Sequence, residues 1–456
     1  GPVGACAAAL LARGAGGAGG AALRVALLEP APPAPLPAAA PLRTRVVALS
    51  RASERILKTA GAWSRMPPER VSAYERMRVW HESVAPDSEA VLEFDAADVG
   101  EPNLGYIAEN QLLQWALLGA FAEAGGHLEP ASLESLEITD AGVGVLTGRG
   151  RLAARLVVGA DGAESRVREA AGIAADIAGY RQTAIIATVA TFRPHEATAW
   201  QRFMRDGTLA FLPLADGTSS IVWSADDELA ARLVAASEGA FAAELDRASD
   251  LALGATRLLG ARASFPLRRL EAQHYVVQRV ALVGDAAHVV HPLAGQGVNL
   301  GLADAAALAQ LVRAASAARE DPGARGVLRA YERWRRSEVA LMSTAIDAFD
   351  RWLAHGAGPV ARRCGRASRG HHGWMQLPGR VGSRARVRSR GEPDAPRGER
   401  QTCHLVKRQC CPAGRAQSRA STRCIRARAS SRRRCARSSS SSPRACAGRE
   451  RTDPHY

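Results

Sequence analysis

The sequence predicts an α/β protein in which a parallel-sheet region brackets an antiparallel one. Three observations carry this reading. Glycine or acid turns follow apolar segments at the N-terminus, near residue 161 and near residue 285. Between the last two, "TAIIATVATF" (183–192) and "LAFLPLADGTSSIVW" (209–223) are apolar runs, and Asp216-Gly217 breaks the second as an antiparallel hairpin would. From residue 303 to about 353 the apolar spacing becomes helical.

Taken in order, "GPVGACAAALLARG" (1–14) opens with a glycine turn and continues as an Ala/Leu helix, and "LRVALLEP" (23–30) is a strand ending in Glu29. In a dinucleotide-binding fold the glycine turn lets backbone N–H groups approach a pyrophosphate, and an acid ending the second strand accepts hydrogen bonds from ribose hydroxyls. Gly1 and Gly4 fit the second and third glycines of G-x-G-x-x-G, and Glu29 fits the acid. The first glycine and first strand have no counterpart and there is no initiator Met, so the start is read as truncated. An ordinary α/β core also yields a Gly/Ala-rich helix followed by a strand. "GAGGAGG" (14–20) and "PAPPAPLPAAAP" (30–41) are loops by composition.

Residues 112–124 are predicted to be helical, and "RLAARLVVGADG" (151–162) reads as one strand ending at a tight turn. Asp161-Gly162 and then Ser165, Arg166 and Arg168 follow it. These basic residues can meet phosphate oxygens, or can lie on a solvated helix. "RVALV" (279–283) is continuously apolar, as a strand covered on both faces should be, and "GDAAHVVHPLAGQGVNLG" (284–301) follows. Gly284 and Asp285 then lie at a strand's carboxyl end, where α/β sheets place ligands, with Asp285 able to accept hydrogen bonds from sugar hydroxyls. "HPLAGQGVNLG" adds a rigid proline, permissive glycines and a helix start whose positive end can face an anionic ring. Three separated turns of this kind imply one long cofactor lying across the sheet.

The chain has 456 residues, enough for one large domain or two ordinary ones. Of its 60 Lys+Arg and 45 Asp+Glu, 25 and 5 lie in residues 361–456, so that tail carries +20 and the preceding body −5. Cys6 is the only cysteine before residue 361, which fits a reducing compartment without a disulfide framework, and the irregular tail cysteines match no zinc pattern. No stretch is apolar enough for a transmembrane helix and no signal peptide is recognisable. The tail has too few apolar residues to offset its conformational entropy, so residues 358–456 are expected to be disordered. It reads as an out-of-frame extension without function. The other reading, an Arg/Ser-rich nucleic-acid-binding tail on an inert body, would make the protein something other than an enzyme.

With these residues in view, a resemblance emerges. Gly1 and Gly4 with Glu29, "GADGAESRVR" (159–168) and "ALVGDAAHVVHPLAGQGVNLGLADA" (281–305) resemble the FAD-binding signatures of the single-component flavoprotein aromatic hydroxylases, the para-hydroxybenzoate hydroxylase fold. "RVVALSRASERIL" (45–57), "YERMRVWHES" (74–83), "FDAADVGEPNLGYIAENQLLQWAL" (94–117) and "HEATAWQRF" (195–203) are similar to the ubiquinone-biosynthesis branch, the polyprenylphenol hydroxylases. The resemblance covers residues 1 to about 355, and the tail departs from it.

The resemblance implies a Rossmann-like FAD-binding domain with an inserted antiparallel β-sheet substrate domain, then C-terminal helices. The boundaries fall at 1–175 for the FAD-binding domain with part of the substrate region, 176–275 for the mainly antiparallel substrate domain, and 276–357 for the FAD-binding return segment and C-terminal helices. It implies that Gly1, Gly4 and Glu29 hold the ADP half of FAD, that Arg45 reaches the cofactor, and that Asp161 and Gly162 lie near the pyrophosphate. Gly284 and Asp285 take the ribityl chain, and Pro292, Gly295, Gln296, Gly297, Val298 and Asn299 border the isoalloxazine ring.

The chemistry implied is reduction of the flavin by NAD(P)H, addition of O2 at its C4a carbon, and transfer of the terminal oxygen of the hydroperoxide to a polyprenylated phenol. Such an enzyme is expected in the cytoplasm, peripheral at the inner face of the membrane, with other ubiquinone-biosynthesis proteins as partners and no nucleic acid. Hydroxylation of a soluble aromatic is the alternative on the same fold. His288 and His291 are candidate bases for the phenol, although a histidine beside a strand end is also commonly a hydrogen-bonded structural residue. Trp80, Trp115 and Trp200 are assigned to core packing rather than to a ring pocket.

Overall fold

The computed structural model describes residues 1–13, 23–35, 40–291 and 295–354. The expectations for Pro292, for the 14–20 loop and for the tail 358–456 lie outside the described residues.

Helix α1 (Pro2–Ala12) starts at Gly1 with Pro2 in its first turn, where the missing N–H is no loss. It is buried along nearly its whole length, which suits its run of Ala and Leu. The strand Ala26–Leu28 follows and pairs in parallel with His127–Glu129. A second parallel pair, Val157–Gly159 with Val280–Leu282, is extended antiparallel by Val276–Val277. Helices α2 (Arg51–Ala60) and α3 (Asn110–Glu123) pack with α1.

Residues 151–162 differ from the single strand expected. Gly150–Ala154 closes a meander with Val143–Thr147 and Leu133–Ile138, and the chain then crosses to the parallel sheet as Val157–Gly159. Both pieces are rich in apolar residues, so hydropathy alone hides the break at Arg155-Leu156. Helix α4 (Arg166–Ala170) follows the Asp161-Gly162 turn.

The antiparallel region forms an eight-stranded sheet. Its order is His288–Val289, Thr256–Ala272, Ala175–Thr191, Ser219–Asp226, Gly207–Pro213, Thr198–Met204, Arg76–His81 and Leu92–Asp95. Thr198–Met204 and Arg76–His81 run parallel to each other. The Asp216-Gly217 hairpin forms as expected, with Gly217 at φ +84° and Asp216 Oδ1 accepting from Thr218 N at 3.0 Å. Residues alternate between two faces. Ile185, Leu209, Phe211, Ile221 and Trp223 bury one face against α5 (Asp227–Ala235) and α6 (Glu238–Ser249). The other face, with Ile186, Ala210 and Val222, looks into a cavity.

Helices α7 (Gln296–Ala317) and α8 (Arg325–Ala354) complete the fold. Ile346 of α8 packs against Met77, Val79, Ala199 and Phe203 at the far edge of the large sheet. No helix among the described residues is long and apolar enough to cross a membrane.

Candidate functional site

Three close approaches draw the three sequence motifs together, and two of them require glycine. A Cβ on Gly4 would stand 3.0 Å from the Cβ of Ala160, so Gly4 lets α1 meet the end of the Val157–Gly159 strand. A Cβ on Gly301 would stand 2.6 Å from Val3 Cγ2 and 3.2 Å from the Cα of Gly284, which fixes α7 against the first turn of α1 and the Gly284 turn. The third is made by Arg168, only 9% exposed, whose Nη1 donates to Ala286 O at 3.0 Å and whose Nη2 donates to Ala163 O at 2.8 Å.

That last contact places Arg168 on main-chain carbonyls, where the sequence had left phosphate and solvent as its two readings. Arg168 joins two turns through their carbonyls, Arg166 Nη1 donates to Leu133 O at 3.3 Å, and Ser165 Oγ caps α4 by accepting from Arg168 N at 3.0 Å. Asp161 is engaged in the same cap, accepting from Ser165 Oγ at 2.5 Å and from Val167 N at 3.0 Å. Gly162 adopts φ +84°, which leaves the neighbouring Ala163 on the wall of the cavity. At the same N-terminal end of α1, Glu29 Oε2 lies 2.9 Å from the Gly1 nitrogen and accepts from Gln114 Nε2 at 2.9 Å. The expected turn and acid therefore meet.

The cavity measures about 2100 Å³ and has two unlike walls. One is built from the motifs: Arg45, Ser50, Arg51, Asp285 and Gly295–Leu300. The other is the sheet face with Ile186, Ala199, Trp200, Ala210, Leu212 and Val222, joined by Leu341 and Met342 of α8. Trp200 packs against the core cluster of the large sheet, as expected, and also lines the cavity. Trp80 is buried at 2% exposure and Trp115 packs on the main core, as expected.

The motif wall is held from behind. Asn299 Oδ1 accepts from Ser50 N at 3.0 Å and Ser53 Oγ at 2.7 Å, and its Nδ2 donates to Ala48 O at 2.9 Å, tying the first turn of α7 to the Val46–Ser50 strand. Gly295 caps α7 at φ +63°, and a Cβ on Gly297 would meet nothing within 4 Å. The chain just before Arg45 is held by an ion pair the sequence did not announce. Arg70 grips Glu109 through Nε at 2.7 Å and Nη2 at 2.8 Å, while Glu109 also accepts from Arg43 N at 2.8 Å. Two charged residues far apart in sequence give no local signal of such a pairing.

Asp285 is open to the cavity interior yet surrounded by protein. Burial raises its carboxyl above the usual range, against the opposing pull of His288, Arg45 and Arg268. The two histidines do not line the cavity among the described residues. His288 Nε2 lies 2.7 Å from Asp304 Oδ2 in the core, and His291 Nε2 lies 3.2 Å from Gln182 Oε1 beside the ring of Tyr180. Neither is placed as a base for a ligand in the cavity. Asp304, which sequence reasoning missed, is a charge within the apolar helix stretch "NLGLADAAALA", and that mismatch was the available signal.

These residues fit a flavin nucleotide. The open Gly297 leaves space beside the first turn of a 22-residue helix, whose positive end faces the cavity. The accessible Asp285 carboxylate suits a polyol, and the Gly1–Glu29 corner suits an adenosine ribose.

Comparison with known proteins agrees. The family profile described as "FAD binding domain" matches residues 39–344. The chain is 40% identical over 326 residues to ubiquinone hydroxylase UbiL of Rhodospirillum rubrum, covering 70% of this chain and 75% of that one. It is 36% identical over 340 residues to 3-demethoxyubiquinol 3-hydroxylase of Escherichia coli, covering 74% and 85%. Among solved structures, Pseudomonas aeruginosa PqsL in complex with 2-aminobenzoylacetate superposes with a TM-score of 0.63 at 22% identity, covering 81% of this chain and 97% of that one. Aklavinone-11 hydroxylase with FAD and aklavinone gives 0.61 at 20% identity, covering 79% and 69%; these two likenesses speak to the fold. By its motifs, fold and relatives, the chain belongs to the FAD binding domain family, in the branch of the ubiquinone-biosynthesis hydroxylases.

Proposed function

We propose that this protein is an FAD-dependent monooxygenase that hydroxylates the ring of a polyprenylated phenol in ubiquinone biosynthesis, with NAD(P)H and O2 as co-substrates. The observation that carries the reading is a cavity with Arg45, Ala163, Asp285 and Gly295–Asn299 on one wall and an apolar sheet on the other, with Gly4 packed on Ala160 and Gly284 packed on Val3 behind it. Two relatives named for ubiquinone hydroxylation, at 40% and 36% identity, support the substrate class.

Gly1, Gly4 and Glu29 would hold the adenosine end of FAD, with the turn at Asp161-Gly162 beside the pyrophosphate. Asp285 would accept hydrogen bonds from the ribityl hydroxyls, and Gly295 to Asn299 would border the ring system, with Arg45 reaching in from the Val46–Ser50 side. When bound, FAD would supply the redox chemistry, acceptance of a hydride from NAD(P)H and activation of O2, so that one oxygen atom enters an electron-rich ring and the other leaves as water. The N-terminal end of α7 would stabilise negative charge on a ring bound beside it. The apolar sheet wall would help exclude water from the reacting ring. The apolar side chains of that wall would accept the phenol and the first part of its prenyl tail.

With a membrane-dissolved substrate, the enzyme would work in the cytoplasm as a peripheral protein at the bilayer surface, meeting its substrate there or through other ubiquinone-biosynthesis proteins. The test is turnover by the full chain loaded with FAD. Hydroxylated product from a short-chain prenylated phenol, with NAD(P)H consumption coupled to it, is expected. Coupled turnover of a free hydroxybenzoate instead would move the protein to the soluble-aromatic class.

A further inference from the structure

Behind the Gly284-Asp285 turn lies a fully buried carboxylate with three donors, one of which, Arg335, also borders the cavity. Asp304 of α7 is 0% exposed, and its Oδ2 accepts from Gly284 N at 2.9 Å and lies 2.7 Å from His288 Nε2. Its Oδ1 accepts from Arg335 Nε of α8 at 2.6 Å. His288 and Arg335 are themselves 3% and 1% exposed, and Arg335 also pairs with Glu338 and donates to Leu300 O. Two more contacts from α8 hold the same strand and turn. Tyr331 Oη donates to Leu282 O at 2.8 Å, and Glu332 Oε1 accepts from Tyr275 N at 2.9 Å beside a Tyr275 ring packed on His288.

A buried ion pair of this kind rarely outperforms apolar packing in stability, so its presence asks for another reason. Geometry supplies one. Gly284 sits at φ +58°, a left-handed conformation that glycine shares almost freely with others, and its N–H is tied to Asp304, which fixes the one adopted. The next residue is Asp285, which faces the cavity. A shift of the Gly284 amide re-aims Asp285 directly, since one peptide unit separates them.

We propose that Asp304, held by His288 and Arg335, is a positioning residue that sets the aim of Asp285 and thereby the affinity for flavin. The inference rests on the reading of Asp285 as a flavin ligand. It assigns His288 a role without contact to substrate or cofactor, and it makes α8 part of the cofactor site through Arg335.

The test uses the full chain stripped of flavin and titrated with FAD, alongside thermal melting of the flavin-free protein. His288→Leu removes the donor to Asp304, whereas His288→Gln restores one at the same reach. His288→Leu is expected to weaken FAD binding about tenfold, the usual effect of losing a hydrogen bond to a charged group. His288→Gln is expected to stay within about threefold of the parent, with similar melting of both flavin-free variants. Should His288→Leu fail to fold, Arg335→Lys carries the test, since it keeps the charge and loses the Nε bond; weaker FAD binding with an unchanged melting point supports the inference. Equal FAD affinity in the variant measured, or equal losses in His288→Leu and His288→Gln, overturns the inference alone. A folded parent chain that takes up no FAD overturns both the inference and the flavin reading beneath it.

Discussion

The two walls of the cavity are built by different rules. The motif wall and the packing behind it depend on backbone: Gly295 on the wall and Gly4, Gly284 and Gly301 behind it each stand where an added Cβ meets a neighbour at between 2.6 and 3.2 Å or where φ is left-handed. The sheet wall depends on side chains that alternate along strands, so Ala210, Leu212 and Val222 face the cavity while Leu209, Phe211 and Ile221 face α5 and α6. Backbone geometry cannot be adjusted by small steps, whereas an apolar wall can be recontoured one methyl group at a time. The first wall suits a fixed cofactor and the second a variable substrate. Substitutions in the two walls should therefore separate cofactor binding from substrate preference.

The largest effect is expected behind the motif wall. Asp304→Ala leaves Arg335 buried with only Glu338 as charged partner, and should cost about 3 kcal/mol of stability by denaturant unfolding. Gly301→Ala comes next: its Cβ would collide with Val3, and overpacking of this kind costs about 2 kcal/mol, with FAD affinity falling in parallel.

Asp285→Asn should weaken FAD binding about tenfold, through loss of charge-assisted hydrogen bonds to hydroxyls. It should also raise the melting temperature of the flavin-free protein near neutral pH. The sign follows from the raised carboxyl: the contribution of Asp285 to stability is complete below the unfolded value and is lost as pH rises through the folded one. The advantage of the asparagine should accordingly vanish on acidification.

Asp304 behaves in the opposite sense. Burial pushes its carboxyl up, but His288 and Arg335 outweigh this and hold it below the usual range. Its stabilisation is present above the unfolded value and lost as pH falls through the folded one. The smallest effect belongs to the sheet wall. Ala210→Val should leave FAD affinity unchanged and shift KM for a prenylated phenol by roughly threefold to tenfold, the scale of one or two methyl groups in an apolar pocket.

This contrast also explains what the sequence made legible. Glycines and acids at strand ends are constrained in identity by backbone geometry, so the turns at Gly1, Asp161 and Gly284 could be read locally, as could the hairpin at Asp216-Gly217. Long side chains could not. Arg168 looked equally fit for a phosphate or for solvent, and only the fold brings the carbonyls of Ala163 and Ala286 within its reach. The same holds for Arg70 with Glu109 and for Arg335 with Asp304, pairs joined by tertiary packing alone. His288 drew notice because histidine is chemically versatile, yet its place in the core follows from Asp304, two helical turns into α7. The walls of the substrate side were legible as strands but not as a cavity, because period-two alternation is the same whether the outer face meets a helix, water or a ligand.

The central claim is that the three motifs form one FAD site at this cavity. It is tested most directly by equilibrium titration of the flavin-free full chain with FAD, followed by quenching of flavin fluorescence. The account predicts saturable binding at one FAD per chain, weakened about tenfold by Asp285→Asn and unchanged by Ala210→Val. A folded chain that leaves FAD fluorescence unquenched, or equal binding by the parent and Asp285→Asn, would contradict it.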